Sequence, residues 1–135
     1  TDILSQINKS YAAGRTPVVY TSREELSFES IEERLAFGQA VSALMVKIVQ
    51  QLPKDIGFLI SKGGITSNDT LSKGLALDAV RLLGQVIPGV SVVSTDASHP
   101  SFAELPVVLF HGNVGDRNAL ALAYQRLCGE YTTGQ

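Results

Sequence analysis

Apolar residues recur along the chain at two spacings, one helical and one extended, and the alternation between them lays out the elements. Ile3, Leu4, Ile7 and Tyr11 share one face of a helix over residues 2–13, and Gly14 is placed to end it. Residues 17–21, Pro-Val-Val-Tyr-Thr, are short and β-branched and read as a buried strand, followed by the charged turn Ser22-Arg23-Glu24-Glu25. Ser30 and Glu33 form a capping box ahead of a long helix carrying Ile31, Leu35, Val41, Leu44, Met45, Ile48, Val49 and Leu52, which Pro53 stops. Residues 56–61 make a second apolar strand. A third helix is expected from near Ser67 through Leu71, Leu75, Ala79, Val80 and Leu83 to Gly84. Strands follow at 90–93 and 106–110, with an irregular surface loop over 94–105 between them. A last helix, about 117–127, carries Leu120, Leu122, Ala123, Tyr124 and Leu127.

Continuously apolar strands separated by amphipathic helices predict an α/β fold, with a mostly parallel β-sheet sandwiched between helices in a single domain over 1–135. A chain of 135 residues with 44% hydrophobic content can bury one such core. Thr1 is not an initiator methionine and helical periodicity begins at once, which suggests a chain cut from something longer.

Charge and composition then narrow the chemistry. Lysine and arginine number 11 against 13 acidic residues, so no basic surplus points to nucleic acid or an anionic membrane as partner. No apolar run approaches the roughly 20 residues that span a bilayer, and the N-terminus lacks the order of a signal peptide. The single cysteine, Cys128, excludes an internal disulfide framework, and His99 and His111 alone make no zinc-like cluster. A cytoplasmic protein without a metal site of its own is the expectation. Any bound anion must be held by local geometry.

Two loops offer that geometry, each at the carboxyl end of a predicted strand and just before a helix, where open α/β sheets bind ligands. In the first, residues 61–70 (Ser-Lys-Gly-Gly-Ile-Thr-Ser-Asn-Asp-Thr), paired glycines let the backbone approach a phosphate. The helix start supplies free N–H groups, and Thr66 and Ser67 can add hydroxyl donors. The plainer alternative is a tight turn at Gly63-Gly64 with Thr66 and Asp69 as a capping box, since the pattern G-x-x-x-x-G-K-[ST] is absent. In the second loop, Gly112-Asn113-Val114-Gly115-Asp116, glycines again follow an apolar strand and Asp116 reads as an N-cap. Asp69 and Asp116 could also approach a nucleotide-bound magnesium through water, although capping accounts for both. His111, His99 and Cys128 have no partner in the sequence that would make them catalysts, and the acidic residues from Glu24 to Glu33 read as a solvated loop and first helical turn. No catalytic residue is assigned.

The stretch from Ser61 to Ser67, with Gly74-Leu75-Ala76-Leu77, the Pro88-Gly89-Val90 turn and the strand leading into residues 112–116, resembles the C-terminal region of the four-carbon acid-sugar kinases, which act on 3-oxo-tetronate, threonate or erythronate. The resemblance spans most of the chain. It implies an ATP site to which Gly63, Gly64, Ile65 and Thr66 contribute from the first loop, and Gly112, Asn113 and Gly115 from the second, with Mg2+ accompanying the nucleotide. It also implies that the acid sugar and its proton acceptor belong to a separate N-terminal domain of the same protein, which would be this chain's partner. Many members of that family carry a lysine shortly before the second loop and an aromatic inside it. Here Phe110, His111 and Val114 stand instead, leaving Lys62 to offer positive charge nearby. Two other readings stay open: a stand-alone nucleotide-binding or regulatory module, and a small α/β domain serving only oligomerisation. Assembly into a homo-oligomer is compatible with all of them.

Overall fold

The computed structural model describes residues 2–22 and 24–129, so Thr1 and the Arg23 of the expected charged turn lie outside the described residues. The chain forms two compact units, Thr1–Pro53 and Lys54–Gln135.

The first unit holds α1 (Asp2–Ala12) and α2 (Ile31–Gln50), close to their expected bounds. Ile7 is buried on α1, and the N–H of Gly14 bonds to Tyr11 O at 2.9 Å just beyond the last turn. Ser30 caps α2 by accepting the Glu33 N–H at 3.2 Å, while the Glu33 carboxylate turns back to Glu29 N, one residue short of the reciprocal capping-box bond. Ile48 and Val49 are buried near the C-terminus of α2, whereas Ile31 and Leu35 are exposed. Residues 17–21 do not form the expected buried strand: they pair with nothing in a ladder, and Val18 and Tyr20 are 73% and 83% exposed. Among the described residues this unit contains no strand, and β-propensity without a ladder partner is not enough to make one.

The second unit is a four-stranded sheet in the order β1 (Leu59–Lys62), β4 (Pro106–Phe110), β3 (Val90–Ser94), β2 (Arg81–Ile87). Only β1 and β4 run parallel. The β4–β3 and β3–β2 pairs are antiparallel, so the sheet is mixed rather than mostly parallel. The departure traces to one segment. The expected third helix starts earlier, as α3 (Gly64–Asp69), widens into a π-helical stretch over Thr70–Gly74, and stops; residues 75–80 are irregular, and the residues expected to be its last turn begin β2. Pro88 and Gly89, between the paired residues Ile87 and Val90, make a two-residue connection, with Gly89 at φ 81°. Proline followed by a glycine at positive φ suits a tight type II turn, which returns the chain antiparallel where a helix would have crossed over to a parallel strand.

Helices do lie on both faces of this sheet. Val90 and Val92 on β3, Val108 and Phe110 on β4 and Ile60 on β1 form one face and pack with Ala119 and Ala123 of α4 (Ala119–Leu127). Strand side chains alternate, so Ser61, Val107 and Val93 point the other way. On that side, the Ser61 hydroxyl meets Thr70 and Ser67 of the α3 segment.

Register also sorts the connections between the two ends of the sheet. Lys62 pairs with Phe110, so β1 and β4 finish side by side, and the Pro88-Gly89 turn lies at the same end. The 94–105 loop lies at the opposite end and is more firmly tied than its composition suggests. The buried Thr95 hydroxyl donates to Phe102 O and accepts the Leu105 N–H at 2.8 Å. His99 Nδ1 accepts from the amides of Phe102 and Ser101, which leaves the proton on Nε2 to donate to Leu75 O at 2.8 Å. Ser98 gives its backbone N–H and then its hydroxyl to the Asp96 carboxylate, holding that exposed group below its ordinary pKa.

Candidate functional site

At the end of β1 the backbone turns on Gly63, whose φ of 108° is open to glycine and strained for other residues. Its N–H bonds to Phe110 O on the neighbouring strand at 2.7 Å, and its carbonyl accepts the Ser67 N–H at 2.9 Å, so this residue both locks the two strand ends and starts α3. Gly64 is the first residue of α3, and a β-carbon built there would meet no protein atom within 4 Å. Ile65 is 81% exposed and Thr66 half-buried. The amides of Gly64, Ile65 and Thr66 belong to the first helical turn, whose N–H groups have no intrahelical acceptor.

The neighbouring polar residues serve other ends. Ser67, expected as a donor to a ligand, is buried and bonds inward to Ser61 O at 3.2 Å. The Thr66–Asp69 capping box does not form: Gly63 is the cap residue of α3 and provides no side-chain bond, and the Asp69 carboxylate lies 3.4 Å from the Lys73 ammonium. Ser67→Ala should therefore lower stability by about 1–2 kcal/mol, as befits a lost buried hydrogen bond. A urea melt measures that loss, and ligand affinity in the folded variant should be unchanged.

The second loop leaves β4 at His111. Gly112 and Asn113 are exposed, and a β-carbon on Gly112 would again meet nothing within 4 Å. Val114 turns back toward the core, against which it packs, and its Cγ1 would lie 3.2 Å from a β-carbon on Gly89. Gly115 has φ 81°, and a β-carbon there would intrude on Ala119 Cβ, so this glycine is set by packing of the loop on α4. Asp116 does not cap α4. Its carboxylate accepts the Asn118 N–H at 2.8 Å in a local turn, Asn118 takes the cap position without a side-chain bond, and the helix begins at Ala119. Phe110 is buried in the core, which leaves it no role toward a ligand, and His111 is exposed.

Thus the sheet brings Gly63, Gly64, Ile65 and Thr66 beside Gly112, Asn113 and Gly115, as two loops on adjacent parallel strand ends. Lys62 spans them, with its Nζ donating to Gly112 O at 2.9 Å. Among the described residues no group of three or more His, Cys, Asp or Glu side chains could hold a metal ion. His99 stands at the other end of the sheet, and Cys128 is exposed just past α4. A concavity of about 480 Å3 in the first unit is lined by Glu25, Phe28, Ile31 and Arg34 among others and by no residue of either glycine loop. Its glutamates make it a poor match for phosphate. No helix among the described residues is long and apolar enough to cross a membrane.

A sheet flanked by helices, with two parallel strands ending together in glycine turns that each lead to a helix, has the layout of a nucleotide-binding domain. Residues 1–120 match the family model of the nucleotide-binding C-terminal domain, and the chain belongs to that family, the C-terminal domain of the four-carbon acid-sugar kinases. No curated protein and no solved structure matches the chain. The family match takes in both glycine loops and ends inside α4.

Proposed function

We propose that this chain holds the ATP of a kinase that phosphorylates a four-carbon acid sugar of the 3-oxo-tetronate, threonate or erythronate type. The observation that carries the reading is the side-by-side placement of two glycine loops at the ends of β1 and β4, with open space over Gly64 and Gly112 where any other side chain would stand. The backbone of Gly63, Gly64, Ile65 and Thr66 would cradle the phosphates, and Gly112 and Asn113 would close the other side. The first-turn amides suit such a role because they offer fixed donors and the positive end of the local backbone dipoles. Mg2+ would travel with the phosphates and neutralise their charge, since no cluster of carboxylates among the described residues gathers to hold it alone.

Phosphoryl transfer asks the protein mainly for positioning and charge stabilisation, and a nucleotide-binding domain can provide both without a base of its own. The acid sugar and the group that takes its proton would come from the N-terminal domain of the same protein. Accordingly, the 135-residue chain should bind nucleotide but phosphorylate no tetronate.

Thermal melts with Mg-ATP or Mg-ADP, paired with isothermal titration, test the reading. At ten times the dissociation constant, nucleotide should stabilise the folded chain by about 1.4 kcal/mol through mass action. A folded chain showing neither heat of binding nor a raised melting temperature at millimolar nucleotide would overturn the proposal.

A further inference from the structure

Lys62 is the last residue of β1, and its ammonium reaches across the gap between the two glycine loops. Nζ donates to Gly112 O at 2.9 Å and stands 5.4 Å from the centre of the Phe110 ring. The ring is buried in the core, so the ammonium lies over a fixed surface, at a distance where the π-face attracts a cation. Gly112 offers it a neutral carbonyl, which takes one of three N–H donors. The other two belong to an exposed side chain, and among the described residues no carboxylate lies within ion-pair distance of it. A full positive charge is more than a lone carbonyl requires. Gly63 and Gly64 follow Lys62 directly, and its one acceptor belongs to Gly112, so the charge stands between the two places where the backbone is left bare.

We propose, resting on the nucleotide-binding reading above, that Lys62 recognises the phosphate chain of the nucleoside polyphosphate. It keeps its bond to Gly112 and gives a second donor to a phosphate oxygen, so that one side chain ties the phosphates to both loops. A lysine suits this task as a compact charge with rotatable donors, able to serve two acceptors in different directions. Its contribution depends on ligand charge, and it therefore favours di- and triphosphates over a bare nucleoside.

The test compares the 135-residue chain with Lys62→Met and Lys62→Arg, measuring Mg-ATP affinity at several salt concentrations with a thermal melt of each variant. Methionine retains a flexible stem over Phe110 and removes the charge. Lys62→Met should fold as the unaltered chain does, weaken Mg-ATP binding about tenfold or more, and flatten the dependence of affinity on salt, because a charge-assisted contact has gone. Lys62→Arg should retain most of the affinity and the steeper salt dependence. Unchanged ATP affinity in Lys62→Met would overturn the assignment, as would a weakened affinity whose salt dependence is unaltered, the signature of a residue that only shapes the loops. Failure of the unaltered chain to bind ATP would bring down the nucleotide-binding reading as well, which keeps the two failures distinct.

Discussion

Gly64→Val is expected to fold normally and to lose ATP by at least roughly a hundredfold, equivalent to about 2.8 kcal/mol. The fold should accept the change because Gly64 is the first residue of α3, does not occupy the left-handed region, and has no protein atom within 4 Å of the position its β-carbon would take. Valine at an exposed helix start costs a few tenths of a kcal/mol in propensity and recovers some by restricting the unfolded chain, so stability should stay within about 1 kcal/mol. The ligand should not accept it, because a branched side chain would fill the space through which a phosphate approaches the first-turn amides. Melting and nucleotide affinity measured on the same preparation separate the two effects. Undiminished affinity in folded Gly64→Val would remove the first loop from the site.

Gly115→Ala should act in the opposite sense, lowering stability by about 2–4 kcal/mol. Two costs combine at this position. An L-residue at φ 81° is strained by about 1–2 kcal/mol, and the added methyl would intrude on Ala119 Cβ at the start of α4. Ala119 is buried in the core cluster with Phe110 and Ala123, so α4 has no slack in which to retreat without opening that core. A urea midpoint well below that of the unaltered chain is the expected measurement. Adding Ala119→Gly should return part of the loss by removing the methyl that is struck, a coupling between neighbours that independent sites would not show. An unchanged midpoint in Gly115→Ala would mean that the loop yields freely, and would undo the view that this glycine is fixed by packing.

The contrast between Gly64 and Gly115 marks where sequence reading stops. Both belong to the same pattern of glycines between an apolar strand and a helix, and the pattern was legible: the ends of β1 and β4 carry the two loops as expected. Which glycine faces open space and which faces a helix depends on how α3 and α4 settle on the sheet. Similarly, Ser67 is one of several hydroxyls along the first loop, and only the packing of α3 against β1 turns it inward to Ser61 while Thr66 remains partly exposed. Asp116 has the identity of a cap, yet two further residues are spent in a local turn before the helix begins.

By itself the sequence determined what short-range forces decide. Helical spacing with a serine cap and a closing proline set α2, an apolar β-branched run set β4, and paired glycines after a strand marked the places where backbone could meet a ligand. Tertiary structure decided what depends on distant partners. Residues 17–21 have the composition of a strand but join no ladder among the described residues, whereas Leu83, expected on the apolar face of the third helix, became part of β2 because β3 lies across the Pro88-Gly89 turn. Periodicity registers which residues are apolar, and a hydrogen-bonded ladder depends on which segment arrives alongside. That is why the helices and glycine loops could be read locally, while the mixed sheet, with its single parallel pair that sets the two loops side by side, emerged only from the assembled chain.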